Sequence, residues 1–423
     1  MVTVLGFDFG TTNSVVAGCD METRVSHTVQ FMAGSTAHDV FRSVLCFWQS
    51  VHAGRSATCH AAGPDAIAAY LDDPIESRLV MSPKTYLASP NFTSTNLLGR
   101  IWSLEQLIGL FLREMMTAGS LDPAALHVVA GRPVRFAGEN ADDALGERRL
   151  RAAFAEAGMA SLEVALEPEG AGYRFTRSLD APSTVLIGDF GGGTSDFSVL
   201  QFTPGPRGGL RPLGRAGVGI AGDSFDARIT DHVVAPLLGK GTHYAPWGNQ
   251  LPVPAEWYSA FARWHRLSLM RTPRIIRDLE DVRRTAEYPD RIDALRNLIE
   301  EEQGYALYRA VSDAKAALSS AETACLRFEH DRFAIERLIT RAEFESWIAP
   351  DLARLAQAID DALVDAGLPA SRIDRVFLTG GTAFVPAVRR LFADRFGVDR
   401  LSGGGEFVSV AEGLALIGAE RLR

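Results

Sequence analysis

The stretch DFGTTNS, residues 8–14, follows a short apolar run near the start of the chain, and DFGGGTS, residues 189–195, repeats its design. In each copy the apolar run reads as a strand and the Gly/Thr/Ser stretch as a tight tip. The segments that follow, SVVAGC and SDFSVLQF, read as returning strands. Two hairpins of one plan suggest two similar α/β lobes. Consecutive Gly, Thr and Ser free backbone N–H groups to face a ligand, and phosphate oxygens are the usual occupants of such nests. Asp8, Asp189 and Asp196 would stand beside the phosphates. Carboxylates repel phosphate unless a cation intervenes, and Mg²⁺, which keeps most of its waters while touching phosphate oxygens, suits that place. Asp often only caps a turn; that reading serves one copy, but not two behind matching apolar strands. The tips are therefore expected to clamp one polyphosphate from opposite sides.

Composition narrows the alternatives. A chain of 423 residues is long for one core and suggests two lobes. With 47% hydrophobic and 22% charged residues it reads as soluble and globular. Net charge is −9 without a long basic run, so no nucleic-acid partner is expected. RTPRIIRDLEDVRR (271–284) reads as a solvated helix face. Cys19, Cys46, Cys59 and Cys325 lack metal-type spacing and read as reduced thiols of a cytoplasmic protein. The N-terminus does not read as a signal peptide, and no apolar run of about 18 residues predicts a membrane span. Among 43 basic residues only Lys84, Lys240 and Lys315 are lysine. Each hints at a place where a compact ammonium is wanted. No Walker loop occurs, and GVGIAG (217–222) is a weak match to a dinucleotide fingerprint.

Helical periodicity covers 65–73, 103–116, 139–158, 305–320, 342–367 and 383–396, with Ser103 and Gln106 forming a capping-box pattern. Residues 127–134 and 375–382 read as apolar strands running into Gly. Residues 203–212 read as an exposed hairpin turn and 240–255 as a loop or insertion. The six Trp are scattered and read as packing anchors.

GFDFGTTNSVVA (6–17), IGDFGGGTSDFSVL (187–200) and VFLTGGTAFVPAV (376–388) resemble the two phosphate motifs and the adenosine motif of the actin-like ATPase superfamily. VVAGRPV with LEPEGAGY (166–173), and VSVAEGLALIG (408–418), resemble its two connecting-helix regions. Within the superfamily the resemblance is closest to the 70-kDa heat-shock chaperones, with FRSVLCFW, AKAALSSAET and GDSFDARI adding to it. It implies an α/β, two-lobed actin-like ATPase fold, duplicated ribonuclease H-like domains around a central nucleotide cleft. The N-terminal lobe would be residues 1–183, completed by about 405–423. The C-terminal lobe would be 184–404, with an inserted subdomain at about 231–308.

The resemblance also implies roles. Asp8 and Asp189 would hold hydrated Mg²⁺. Glu167 would orient or deprotonate the attacking water, with Asp196 and Thr194 supporting the water and the γ-phosphate. Lys84, in MSPKTYL, would reach the γ-phosphate, where a compact cation offsets charge in the transferring group. Gly10, Thr11, Thr12, Asn13, Gly191, Gly192, Gly193 and Gly222 would contact the ATP or ADP. Lys315 and Ser319 would hold the ribose and adenine, and Gly380 and Gly381 would let the backbone approach the adenosine. Phe384 stands where the family often has a stacking Arg, Ser312 replaces an expected acid, and Glu169 replaces a Thr. The chain ends at IGAERLR, so the family's linker, peptide-binding domain and lid are expected to be absent.

Four functions follow as expectations. The first is slow Mg·ATP hydrolysis by a chaperone-like ATPase. The second is a nucleotide-gated module that docks client or co-chaperone proteins, with vestigial hydrolysis. The third is an actin-like filament former. The fourth, a small-metabolite kinase, would need an Asp base in the N-terminal lobe, for which the sequence offers no convincing candidate.

Overall fold

The computed structural model describes residues 3–33, 36–52, 55–74, 76–122, 126–137, 140–176, 179–204, 209–262, 270–331, 333–402 and 408–422. The chain divides into two compact units, Met1–Gly222 with Leu352–Arg423, and Asp223–Asp351. The expected lobe boundary near residue 183 falls within the first unit, which carries both DFG hairpins.

Two sheets of the first unit share one topology. In the first, the spatial order is Leu162–Leu166, Leu126–Arg132, Thr3–Phe9, Asn13–Cys19, Ser26–Thr28, with Phe41–Arg42 also paired to Asn13–Cys19. In the second it is Leu401–Ser402, Arg375–Thr379, Ser183–Phe190, Ser195–Thr203, Gly209–Val218. In both, the DFG strand lies antiparallel to its hairpin partner and parallel to a strand that arrives much later in the chain. Numbered in chain order, both sheets run 5-4-1-2-3. This duplicated mixed α/β architecture is the actin-like ATPase fold. The central strands are covered on both faces, as such strands require: Val185, Leu186 and Ile187 are fully buried.

Two helices, Glu167–Thr176 and Ser409–Arg421, meet through glycine. A Cβ at Gly413 would stand 1.6 Å from the Gly170 carbonyl oxygen, and one at Gly6 would stand 2.0 Å from the Ala411 carbonyl oxygen. Around this contact, Val4, Val129, Val185, Ile187, Phe377 and Leu414 form one apolar cluster that reaches both sheets. The Arg174–Glu412 ion pair, 2.5 Å, links the same two helices.

Most expected elements form with shifted ends. The capping box is present, with Gln106 N donating to Ser103 Oγ (3.2 Å) and Ser103 N to Gln106 Oε1 (3.0 Å). The helix expected over 139–158 starts at Asp143, because the Asp142 carboxylate accepts from Leu145 N and sets the cap. The helix expected from residue 383 starts at Pro386, after a 3₁₀ turn over Gly381–Phe384; proline favours the first helical turn. Residues 240–255 contain a two-stranded ladder, His243–Tyr244 with Leu251–Pro252. Ser195–Thr203 and Gly209–Val218 pair as the expected hairpin, whose tip at 205–208 lies outside the described residues, as does Trp264.

The second unit is mainly helical, with helices Pro273–Arg283, Pro289–Glu300 and Gly304–Ser320 and a hairpin, Thr323–His330 with Phe333–Thr340. No helix among the described residues is long and apolar enough to cross a membrane.

Candidate functional site

The two hairpins bring their tips together inside the first unit. Asp8 pairs across its ladder with Val15, whereas Asp189 pairs with Asp196. Gly191 N donates to the Thr194 carbonyl (2.9 Å), closing the second tip. A Cβ at Gly10 would lie 2.0 Å from the Asn13 carbonyl oxygen, so the first tip can close only on glycine. A Cβ at Gly193 would stand 3.4 Å from Thr11 Oγ1, which places the tips against each other. Thr12 Oγ1 is buried and makes no hydrogen bond. Such an orphan costs free energy in the free protein unless a ligand meets it. Asn13 is engaged by Arg42 Nη1 at 3.1 Å.

Four carboxylates and one ammonium converge on these tips. Glu167 is the first residue of the helix that follows strand Leu162–Leu166. Gly131, on the neighbouring strand, leaves room for it, since a Cβ there would stand 2.8 Å from Glu167 Cγ. Lys84 sits in a 3₁₀ turn, Pro83–Tyr86, entered through Ser82 in the left-handed region (φ 51°). Its Nζ lies 2.6 Å from Glu167 Oε1, and both side chains are buried. Asp196 Oδ1 accepts from Val134 N (2.8 Å) and Arg135 N (3.3 Å). Gly217, across the ladder from Asp196, makes this possible, because a Cβ there would fall 2.6 Å from Asp196 Oδ1.

The charges in the cluster are strongly coupled. Burial, then the Glu167 charge, pushes the Asp8 carboxyl up to about 7, with Lys84 opposing. Burial raises Asp189 well above the carboxylate range, helped by Glu167, Asp8 and Asp196. Asp196 rises to about 7 by burial and the Glu167 charge, against the Arg135 N–H, Lys84 and Thr194. Burial alone would lower Lys84, but Glu167, Asp8 and Asp196 raise it instead. The cluster therefore holds more potential negative charge than its single ammonium balances, which is the environment a cation fills.

Sequence reasoning missed several supporting residues. Ser43, fully buried, donates from Oγ to the Gly10 carbonyl (2.7 Å), and its N–H reaches the Thr12 carbonyl (3.0 Å). Ser43 sits inside FRSVLCFW but carries no local signal for this role. Gly131 and the Val134 and Arg135 N–H groups were equally silent. Gly217 opens GVGIAG, where its use is close packing. The remaining candidates are placed as follows. Gly222 closes the first stretch of the first unit. Gly380 (φ 85°) abuts the Phe190 carbonyl, 1.9 Å from where a Cβ would stand, followed by Gly381, and Phe384 is 43% exposed. Lys315 and Ser319 belong to the second unit, where Lys315 Nζ pairs with Asp226 Oδ2 at 2.7 Å.

Comparison with known proteins agrees with the fold. The family described as Hsp70 protein matches residues 290–419. A chaperone protein DnaK of Deinococcus radiodurans is 26% identical over 94% of this chain and 56% of its own length. A chaperone protein HscA of Shigella boydii is 27% identical over 97% of this chain and 57% of its own length. A DnaK of Deinococcus deserti reaches 28% over 57% of the chain. The chain thus spans little more than half the length of the first two relatives and about a third of the last. The Hsp70 match lies in the C-terminal part of the chain, and the DnaK and HscA alignments run along nearly its whole length, so the chain is similar to these chaperones throughout.

Proposed function

We propose that this protein binds Mg·ATP and hydrolyses it slowly to ADP and phosphate, as a chaperone-like ATPase. The observation that carries the reading is the buried Lys84–Glu167 pair beside three further carboxylates at the meeting point of two glycine-rich tips. The orphaned Thr12 hydroxyl marks where a polar ligand group is wanted. The donor set suits Mg²⁺, a hard cation that takes carboxylate oxygens and keeps several of its waters. Asp8 and Asp189 are its proposed holders, and it would neutralise charge on the phosphates.

The chain's own residues supply the rest. The tips orient the triphosphate through their N–H groups and the Thr11 and Thr12 hydroxyls. Lys84 offsets charge on the γ-phosphoryl group once it leaves Glu167. Glu167, freed of the ammonium, accepts a proton from the attacking water. Asp196, fixed by two N–H donors, holds that water in place with Thr194. Lys84 and Glu167 are paired at 2.6 Å, so the two must part for each to take its role. The proposed partners are client and co-chaperone proteins, by analogy with relatives named as chaperones. A cytoplasmic location is part of the reading, as four free thiols fit a reducing compartment.

The test is single-turnover phosphate release from Mg·ATP by the wild type and Asp189→Asn. The wild type should turn over and the variant should lose about 10²-fold or more. Equal, non-zero rates would overturn the assignment.

A further inference from the structure

The segment that carries Lys84 is held by one guanidinium. Arg149, on the helix Asp143–Glu156, donates from Nη1 to the carbonyls of Tyr86 (3.4 Å), Leu87 (3.2 Å) and Ser89 (2.9 Å), and from Nη2 to Phe92 (2.7 Å). Its Nε lies 3.3 Å from Glu105 Oε1, and the side chain is largely buried. A fifth tie runs from the start of the same helix, where Asp142 N donates to the Ala88 carbonyl (3.0 Å). The path to the ammonium is short. Leu87 N donates to the Lys84 carbonyl (3.2 Å), while the Leu87 carbonyl accepts from Arg149. Lys84 Nζ then meets Glu167.

We propose that Arg149 is a positioning residue for Lys84: it fixes residues 86–92 and thereby sets where the ammonium stands. The chemistry requires arginine. A planar fork can serve four carbonyls and one carboxylate together, whereas an ammonium on a flexible stem cannot. The unusual feature is that the guanidinium bonds mainly to carbonyls rather than to acids, so its role is to order backbone. Leu87 and Ala88 are fully buried, so bonds lost at these two residues have no water to replace them. The catalytic part of this inference rests on the ATPase reading above, but its structural part does not.

The experiment uses this chain's scarcity of lysine. Lys84, Lys240 and Lys315 give three side-chain signals in a ¹³C,¹⁵N-lysine-labelled sample. In Arg149→Gln, the Lys84 signal should move towards that of solvated lysine while the Lys240 and Lys315 signals stay in place. A folded variant with an unmoved Lys84 signal overturns the proposal, whether or not the protein hydrolyses ATP. Should Arg149→Gln fail to fold, Glu105→Gln, which frees the guanidinium but keeps its charge, should move the same signal by less; no movement there also overturns it. Single-turnover hydrolysis adds the catalytic arm. Arg149→Lys should slow the step about 10- to 100-fold, the usual cost of displacing a catalytic group by about an ångström, with affinity for Mg·ATP within about threefold. In a Lys84→Ala background the same change should have no further effect on rate, because both act through one group. Multiplying losses would overturn the assignment of Arg149 to Lys84. A wild type without hydrolysis would instead sink the ATPase reading and leave the lysine signal to decide this one.

Discussion

The buried pair at the centre of the site should respond asymmetrically to losing one member or the other. Lys84→Met keeps the apolar stem and removes the ammonium, leaving Glu167, Asp8, Asp189 and Asp196 without a counter-charge. Breaking a buried ion pair from one side costs about 3–5 kcal/mol, and the surrounding acids place this case at the upper end. Glu167→Gln differs. Lys84 keeps Asp8 and Asp196 as neighbouring charges, and the loss removes the charge that, after burial, does most to raise Asp8, Asp189 and Asp196. A neutral amide still accepts from the ammonium, so the expected cost is below about 1 kcal/mol, the worth of an ordinary hydrogen bond. The assay is urea unfolding without nucleotide and with EDTA, read by hydrogen exchange in Ser183–Phe190 so that the first unit is followed alone. Equal costs for the two variants would refute the reasoning.

The same cluster fixes a sign for pH. Asp8 and Asp196 ionise near 7 in the folded chain and near 3.8 when unfolded. Raised carboxyls bind more protons in the folded state, so stability rises as pH falls from about 7 towards 4, by roughly 1 kcal/mol per pH unit for each group titrating. In EDTA this gain should be larger in Lys84→Met, where no ammonium opposes the shift. Stability in Lys84→Met that falls between pH 7 and pH 5.5 would contradict this electrostatic account.

Three further outcomes follow from packing. Thr12→Val should leave unfolding within about 1 kcal/mol of wild type, because the hydroxyl has no protein partner to lose, yet weaken Mg·ATP binding in calorimetry about tenfold. Gly217→Ala should cost about 1–3 kcal/mol and slow single-turnover hydrolysis, since its methyl would fall 2.6 Å from Asp196 Oδ1 and 3.1 Å from Arg135 N. Gly413→Ala should be far worse, above about 4 kcal/mol in thermal or urea melts, because its Cβ meets the Gly170 carbonyl at 1.6 Å and neither helix backbone can yield cheaply.

What could be read beforehand was whatever left a local pattern. The hairpins announced themselves by apolar runs ending in Asp and glycine-rich tips, and Ser103 with Gln106 by their spacing. Lys84 was picked out by the family resemblance, and its being one of three lysines among 43 basic residues agreed with that. That same bias hid Arg149, one arginine among many, whose four carbonyl partners lie some sixty residues away in sequence. Ser43 and the Val134 and Arg135 N–H groups were hidden differently. A hydroxyl or a backbone donor means nothing until the fold sets an acceptor before it. Helix starts moved where a side chain, Asp142 or Pro386, had the last word over periodicity. The missed site residues act through long-range contacts, which no window of sequence contains.

The duplication explains the scaffold but not the chemistry, and the two copies differ where chemistry is needed. Both sheets run in the same order and both end their first strand in Asp-Phe-Gly. Opposite that Asp, the first copy places Val15, buried with Ala17 and Ala411 beneath the terminal helix. The second places Asp196, which no apolar neighbour could tolerate, and supplies it with two N–H donors from the end of strand Leu126–Arg132 and a glycine across the ladder. A buried carboxylate costs less with such donors. Glycine at 217 and backbone turned inward at 134–135 are therefore conditions for Asp196, not incidental features. In the first copy the equivalent position, Val15, belongs to the core. One inherited frame thus carries its acids unequally, and the acid of the second hairpin is satisfied by backbone donors that the first sheet's strand segment presents to it.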